Sequence, residues 1–398
     1  MDFLCNKKPS GQDRTAAENL AKRDSFILRN YEKFDGEIEM SKEEARRKNT
    51  KGKRRVSKKQ RRKRKIIIFA IEIVVLLILL ALVFVWLKLS KIEQKKLDES
   101  KMIINELQSD DGYTSIAVFG LDNRSNGDLE KGNSDVIMIA SINDDTKEVK
   151  LCSVYRDTYL DRGESSYGKA NAAYSKGGPE QAISMLNKNL DLGIKKYVTV
   201  DFNAVTSCVD ALGGVELDIT EEELEWINSY IETTADVTGA TPKFINQTGK
   251  QLCDGTQATA YARIRYTTGD DFKRAERQRI VIEQMFEKAK TSNISKLNKV
   301  IDSVFDEVST NLTQKEILAL ASAAFEYQMA ETAGFPFEKD TDTIGSKGSV
   351  VIPCDLVSNV SQLHEYLYND TEYEASATVQ EINDKIINDT GRHAGDGY

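Results

Sequence analysis

Histidine is nearly absent from this chain: two in 398 residues, His364 and His393. Neither belongs to a Cys or Ser motif, so His-ligated zinc chemistry and Ser-His-Asp hydrolysis lack their central residue. Cysteine is sparse too, with five in all, far too few for a disulfide-framework miniprotein. Five Pro and 24 Gly exclude a collagen-like or Pro-rich disordered chain. Chemistry is therefore left to carboxylates, Arg, Lys and hydroxyls. The length suits one large domain or two ordinary ones, and 40% apolar residues are enough to fill a core.

The formal net charge of −8 averages three unlike regions. Residues 1–40 carry eight acids against seven Lys/Arg, and residues 41–65 carry fifteen Lys/Arg against two Glu. Residues 66–87 contain a single charge, Glu72. Together these 87 residues hold about +11, which leaves about −19 on residues 88–398.

Residues 66–87 are otherwise Ile, Leu, Val, Phe and Ala, ending near Trp86. A helix of that length reaches about 33 Å, enough to cross the hydrocarbon core. The run Lys58-Lys59-Gln60-Arg61-Arg62-Lys63-Arg64-Lys65 precedes it directly. Positive charge stays on the cytoplasmic side, so a retained single-pass anchor would leave residues 88–398 outside. A cleaved signal peptide is the competing reading. The run is long for one, starts far into the chain and is followed by Lys88-Leu89-Ser90-Lys91 rather than a small-residue cleavage site. The basic run is expected to be topogenic and lipid-contacting, with no nucleic acid as partner.

The expected organisation is a basic cytoplasmic tail (1–65), a transmembrane helix (66–87), a helical juxtamembrane stalk (88–112), an extracellular domain (113–372) and a C-terminal tail (373–398), frayed from 378. Within the domain, Ser115-Ile116-Ala117-Val118-Phe119 reads as a strand. Val136-Ile137-Met138-Ile139-Ala140-Ser141-Ile142 and Val149-Lys150-Leu151-Cys152-Ser153-Val154 read as a hairpin around Asn143-Asp144-Asp145-Thr146-Lys147. Such continuously apolar strands imply a sheet buried on both faces. Gly177-Gly178-Pro179-Glu180 breaks one helix and starts another, and strands at 197–200 and 215–219 alternate with helices. Helices are expected near 271–290, 296–308, 313–329 and 358–368, with a further strand at 350–356. The fold class is α/β, a central mixed sheet in an α/β/α sandwich, preceded by the anchor. Cys152, Cys208, Cys253 and Cys354 form no C-x-x-C motif; buried thiols and a Cys253–Cys354 bridge both remain open.

Against the acidic background, a few arginines stand where solvation is not the obvious reason. Arg124 lies just past the strand ending at Gly120, and Arg156-Asp157 follows the strand ending at Val154. In Tyr261-Ala262-Arg263-Ile264-Arg265-Tyr266 an extended backbone would project both arginines from one face. In Asp271-Phe272-Lys273-Arg274-Ala275-Glu276-Arg277-Gln278, Arg274 and Gln278 share a helix face. Converging guanidiniums match the oxygens of a polyanion such as phosphate. Asp122 and Asp135 stand at strand ends, and two Asp with a diphosphate are the usual ingredients of a Mg²⁺ site.

The ordered motifs carry a family resemblance. Val118-Phe119-Gly120-Leu121-Asp122-Asn123-Arg124, Ser134-Asp135-Val136, Ser153-Val154-Tyr155-Arg156-Asp157-Thr158 and Lys169-Ala170-Asn171-Ala172-Ala173-Tyr174 resemble the LytR–CpsA–Psr family. Val209-Asp210-Ala211-Leu212-Gly213-Gly214, Ala260-Tyr261-Ala262-Arg263-Ile264-Arg265 and Arg274-Ala275-Glu276-Arg277-Gln278 continue the match, over roughly 114–290. The resemblance implies a hydrophobic pocket for a polyprenyl tail with a polar mouth for its pyrophosphate. It also implies transfer of a glycopolymer, such as teichoic acid or capsular polysaccharide, from the lipid diphosphate to peptidoglycan. By motif, Asp122 and Asp135 match the magnesium-linked aspartates. Arg124, Arg156, Arg263, Arg265, Arg274 and Gln278 match the phosphate-contacting set, and Lys169 a frequent family lysine. Asp122, Asp135 and Arg156 are the residues expected to be catalytic. Asn133 departs from the Arg that many members carry there, so Arg162 is a candidate replacement. A lipid-pyrophosphate hydrolase and a non-enzymatic membrane regulator remain as alternatives.

Overall fold

Side-chain alternation along three apolar strands divides the molecule into layers. The strands are β2 (Tyr113–Leu121), β3 (Ser134–Asn143) and β4 (Glu148–Val154). They pair antiparallel in sequence order, as their hairpin pattern predicts, and Asn143 Oδ1 accepts from the amides of Asp145 and Thr146 in the β3–β4 turn. The structure is a computed structural model that describes residues 39–42, 44, 46, 93–94, 96–106, 111–121, 129, 132–304 and 307–398. The chain divides into two units between residues 80 and 81. In the first, the described residues are helical; the second carries everything that follows.

β7 (Lys196–Val200) joins β2 in parallel after the helix α1 (Ala172–Leu190). β1 (Glu93–Gln94) and β10 (Val308–Thr310) extend that edge, while β11 (Gln328–Met329) and β12 (Ala333–Phe335) both pair with β4. The result is an eight-stranded mixed sheet. One face presents Ala117, Phe119, Leu121, Ile137, Ile139, Cys152 and Val154 to α1, α8 (Leu356–Tyr368) and α9 (Ala377–Thr390), and this is the main core. The opposite face presents Val118, Gly120, Val136, Met138, Ala140 and Leu151 to a cavity under α2 (Phe202–Ala211), α5 (Asp270–Lys290) and α6 (Ile294–Val304). This period-two division is the expected α/β/α sandwich. Gly120 is required by packing, since a Cβ there would stand 2.8 Å from the Val136 side chain across the ladder.

A second, smaller core lies outside the main sheet. Among the described residues β8 (Val215–Ile219) pairs only with β9 (Gly249–Cys253), and this two-stranded sheet packs with α3 (Glu221–Thr238) and α4 (Gly255–Tyr261). Elsewhere β5 (Tyr159–Asp161) pairs with β6 (Tyr167–Lys169), and β13 (Lys339–Thr343) with β14 (Ser349–Pro353). α7 (Gln314–Ser322) completes the element order. The predicted Gly177-Gly178 break is present inside α1, where Gly178 has φ 63°.

Two expectations need correction. The stalk is not a helix in its described part: after β1 it makes one 3₁₀ turn at Glu99–Lys101 and then runs extended. α1 supplies polar partners to that extended backbone, with Ser184 Oγ accepting from the Ile103 amide and Asn187 Nδ2 donating to the Ile103 carbonyl. Nor is the C-terminal region frayed. α9 buries Val379, Ile382 and Ile386, is capped by Ser376 and ends at Gly391 with φ 68°. Beyond it, Tyr398 exchanges backbone hydrogen bonds with Lys339. The four cysteines among the described residues are free, and burial pushes the Cys152 thiol up to about 12. No helix among the described residues is long and apolar enough to cross a membrane, and residues 66–87 lie outside them.

Removing the Ile386 side chain beyond Cβ opens a cavity in the main core, so Ile386→Ala should cost about 2–5 kcal/mol by urea denaturation. A frayed tail would be indifferent to the change. His364 gives a pH signature. It is fully buried, donates from Nε2 to the Leu190 carbonyl and stacks on Tyr373, and burial holds its pKa below the ordinary 6.5. A depressed histidine favours folding fully above pH 6.5, and that contribution is lost as pH falls from there towards the folded-state pKa. The urea midpoint should therefore drop more between pH 7.5 and 5.5 in the natural chain than in His364→Gln.

Candidate functional site

Antiparallel pairing places the start of β3 beside the end of β4, so Asp135 and Arg156 meet although 21 residues separate them. Arg156 Nη1 donates to Asp135 Oδ1 at 2.8 Å and its Nε to Asp271 Oδ2 at 2.9 Å. Asp271 lies in the first turn of α5, where a carboxylate suits the positive end of the helix. Arg274, one turn on, donates from Nη2 to Asp271 Oδ2 at 3.1 Å. Arg265, from the loop between α4 and α5, donates from Nη2 to Asp135 Oδ2 at 3.1 Å. At the edge, Lys169 Nζ lies 3.0 Å from Asp157 Oδ2, and Asp157 lies 3.8 Å from Arg156 Nε.

Three carboxylates thus face three guanidiniums and one ammonium, a formal excess of one positive charge among the described residues. Burial disfavours the charge on both Arg156 and Arg274, yet their net shifts run in opposite directions. Arg156 loses hydration, but Asp135 and Asp271 outweigh that and hold its pKa above the ordinary value. Arg274 is more deeply buried, and desolvation pushes it down to about 10 despite Asp271. Its Nε is buried without a hydrogen-bond partner. Both Asp135 oxygens, and the Asp271 oxygen shared by Arg156 and Arg274, occupy positions that a multi-oxygen anion could take instead.

Behind the cluster opens an apolar cavity of about 390 Å³. Val136 and Gln278 border both the cavity and the cluster, so the two are neighbours through the sheet and α5. The lining also includes Met138, Val205, Ile282 and Met285. A site with an ionic head and an apolar interior suits an amphiphile with an anionic end.

The predicted residues separate into groups. Asp135, Arg156, Arg265 and Arg274 come together, and Lys169 joins through Asp157. Gln278 stands at the junction, with Nε2 3.5 Å from the Ala262 carbonyl. Arg263 diverges, because α4 ends at Tyr261 and the following residues turn instead of extending. Its Nη1 donates to Thr234 Oγ1 at 2.7 Å, and its guanidinium lies over Phe202 on the cavity wall. Arg162 does not replace an arginine at 133. It folds back onto its own hairpin, donating to the Ser166 and Tyr167 carbonyls, while Asn133 is exposed. Asp122 and Arg124 lie outside the described residues.

Asp271 and Asp157 were not assigned roles from sequence. The signals were present in the Arg156-Asp157 pair and in the i,i+3 spacing of Asp271 and Arg274. Arg277, also in the motif, serves the loop. Its Nε donates to Glu223 Oε1 at 2.6 Å, and its other nitrogens donate to the Ile264 carbonyl and Thr267 Oγ1. Among the described residues no group of three or more His, Cys, Asp or Glu side chains is arranged to hold a metal. Of the expected magnesium pair, Asp135 is among the described residues, and each of its carboxylate oxygens accepts one guanidinium bond.

The fold and site define an α/β protein with an arginine–aspartate cluster at the mouth of an apolar cavity. The profile of the LytR_cpsA_psr family matches residues 80–349, and the chain belongs to that family. It is 31% identical over 210 residues to polyisoprenyl-teichoic acid–peptidoglycan teichoic acid transferase TagU of Enterococcus faecalis, covering 52% of this chain and 64% of that one. It is 30% identical over 196 residues to the corresponding transferase TagV of Bacillus subtilis, covering 48% of each. The chain thus spans about half to two thirds of the length of these curated relatives. A solved structure from Enterococcus faecalis, described as a transcriptional regulator, has the same fold at TM-score 0.56 and 24% identity, covering 72% of this chain and 98% of that one.

Asp271→Asn removes the anion that Arg156 and Arg274 share. It should lower stability by about 1–3 kcal/mol in denaturant melts. Inorganic pyrophosphate should restore more stability to this variant than to the natural chain, because it can re-pair the same guanidiniums.

Proposed function

We propose that the chain is a membrane-anchored phosphotransferase that attaches a glycopolymer from a polyprenyl-diphosphate carrier to peptidoglycan outside the cell. The observation that carries this reading is the junction of the arginine cluster and the apolar cavity at Val136 and Gln278. An apolar tail in the cavity and a diphosphate at its mouth use both halves of the site. The transferase names of the 30–31% identical relatives support the same reading. Residues 66–87 would be the anchor, with the N-terminus cytoplasmic, keeping the cavity close to the bilayer that supplies the lipid.

In the transfer, a peptidoglycan hydroxyl oxygen forms a bond to the glycan-side phosphorus, and the bond from that phosphorus to the bridging oxygen breaks. Lipid phosphate leaves with the bridging oxygen and its electron pair, and the hydroxyl proton passes to a carboxylate, Asp122 or Asp135. Arg156, Arg265 and Arg274 would hold the diphosphate, with Arg124, Arg263, Lys169 and Gln278 around it. Fixed guanidiniums stabilise charge on the departing oxygen without reorganising. Asp135 positions two of these guanidiniums, Arg156 and Arg265. Asp135 with Asp122 would hold Mg²⁺, which when bound supplies charge neutralisation of the diphosphate.

Purified chain incubated with lipid-linked glycan, peptidoglycan and Mg²⁺ should yield glycan covalently bound to peptidoglycan, with polyprenyl phosphate released. The Arg156→Ala, Arg263→Ala double variant should lose about 10²-fold or more of this activity. Unchanged transfer would refute the clamp assignment. Release of glycan phosphate into solution, with none on peptidoglycan, would identify a hydrolase. Resistance of residues 88–398 to protease added to intact cells would refute the extracellular placement.

A further inference from the structure

An exposed aromatic pair stands next to the cluster, and neither core nor cavity uses it. Trp226 on α3 is 37% exposed and Tyr266 is 64% exposed. Their ring centroids lie 5.1 Å apart with planes inclined at 46°. Tyr266 immediately follows Arg265, whose guanidinium holds Asp135. Single exposed aromatic residues need no explanation, but two in contact beside an anion-binding cluster form a surface.

The surface is held in place from beneath. Arg277 grips the loop on both sides of Tyr266 through the Ile264 carbonyl and Thr267 Oγ1. Its Nε is bound by Glu223, whose other oxygen accepts from the Thr220 amide in the capping box of α3. Glu222, one turn before Trp226, accepts from both the amide and the hydroxyl of Thr268. The elements carrying the two rings are therefore tied by a buried ion pair and four hydrogen bonds to the loop. A platform ordered before ligand arrives loses little entropy on binding.

Direction selects the ligand. With the tail in the cavity and the diphosphate on the arginines, the remaining part of the proposed donor is its glycan. Neither aromatic residue lines the cavity. A pyranose ring has an apolar C–H face that meets the negative face of an aromatic ring, while its hydroxyls stay in water. We propose that Trp226 and Tyr266 form a stacking subsite for the sugar ring nearest the diphosphate. This rests on the phosphotransferase reading and names the part of the substrate that reading left unplaced.

The chain contains two tryptophans, so a full-length Trp86→Phe protein in detergent reports on Trp226 alone. It is titrated with polyprenyl diphosphate and with polyprenyl diphospho-N-acetylglucosamine, affinities being read by calorimetry. The glycosylated lipid should bind more tightly and alone shift the Trp226 emission. Trp226→Ala should weaken it about five- to tenfold, with Trp226→Phe keeping most of the affinity and the unglycosylated lipid binding as before. Tyr266→Ala should repeat the loss. Equal affinity of the unsubstituted protein for the two lipids, or equal losses for both in Trp226→Ala, would overturn the subsite. So would an emission shift on moving the ligand-free protein from detergent into a lipid nanodisc, which would mean that the pair faces the bilayer. Failure of both lipids to bind the unsubstituted chain would instead remove the phosphotransferase reading on which the subsite depends.

Discussion

The bridge from Asp135 through Arg156 to Asp271 is the contact on which the site depends. It ties the paired ends of the β3–β4 hairpin to the first turn of α5, 115 positions further along the chain. Arg156 is the only described side chain bonded to both aspartates within 3.2 Å. Removing its fork would leave Asp135 with Arg265, and Asp271 with Arg274. The ion pairs are partly buried, where desolvation offsets much of their Coulomb energy, so they contribute little net stability. Their consequence is geometric. They keep several guanidiniums pointed at one place while no ligand is bound.

That geometry has an electrostatic cost, concentrated at Arg274. Its pKa falls to about 10, and a buried Nε goes unpaired, because one shared carboxylate oxygen cannot replace its hydration. Sites of this kind are poised for an anion that brings more acceptor oxygens than the protein supplies. The apolar cavity behind follows the same logic. Val118 and Gly120 of β2 and Val136, Met138 and Ala140 of β3 line it where helices could have packed against the sheet.

Much of the fold was legible because the strands are buried on both faces and the helices carry period-3.6 stripes. The β3–β4 hairpin, the Gly177-Gly178 break and the helix α8 followed directly from pattern. The C-terminal helix was missed: Val379, Ile382 and Ile386 mark it between Ser376 and Gly391, but its polar remainder obscured the stripe. The stalk misled for the opposite reason. Its Lys/Glu richness favours a helix locally, whereas Ser184 and Asn187 of α1 stabilise an extended course through contacts no local pattern reveals. Arg263 and Arg265 fell on one face only if the segment were extended. The capping box of Asp254 with Gln257 starts a short helix there, and its end at Tyr261 sends the two side chains apart.

By itself the sequence determined the class of chemistry: near absence of histidine, arginines inside an acidic domain, an apolar run behind a basic collar, and motifs in a family's order. Such properties depend on residue type and short-range spacing, which the chain carries intact. Only the tertiary structure decided which arginines share a partner, that Asp271 is one of those partners, and that Trp226 meets Tyr266. These contacts join residues between 3 and 130 positions apart. Long-range proximity is set by strand register and helix docking, both of which are products of the packed core as a whole.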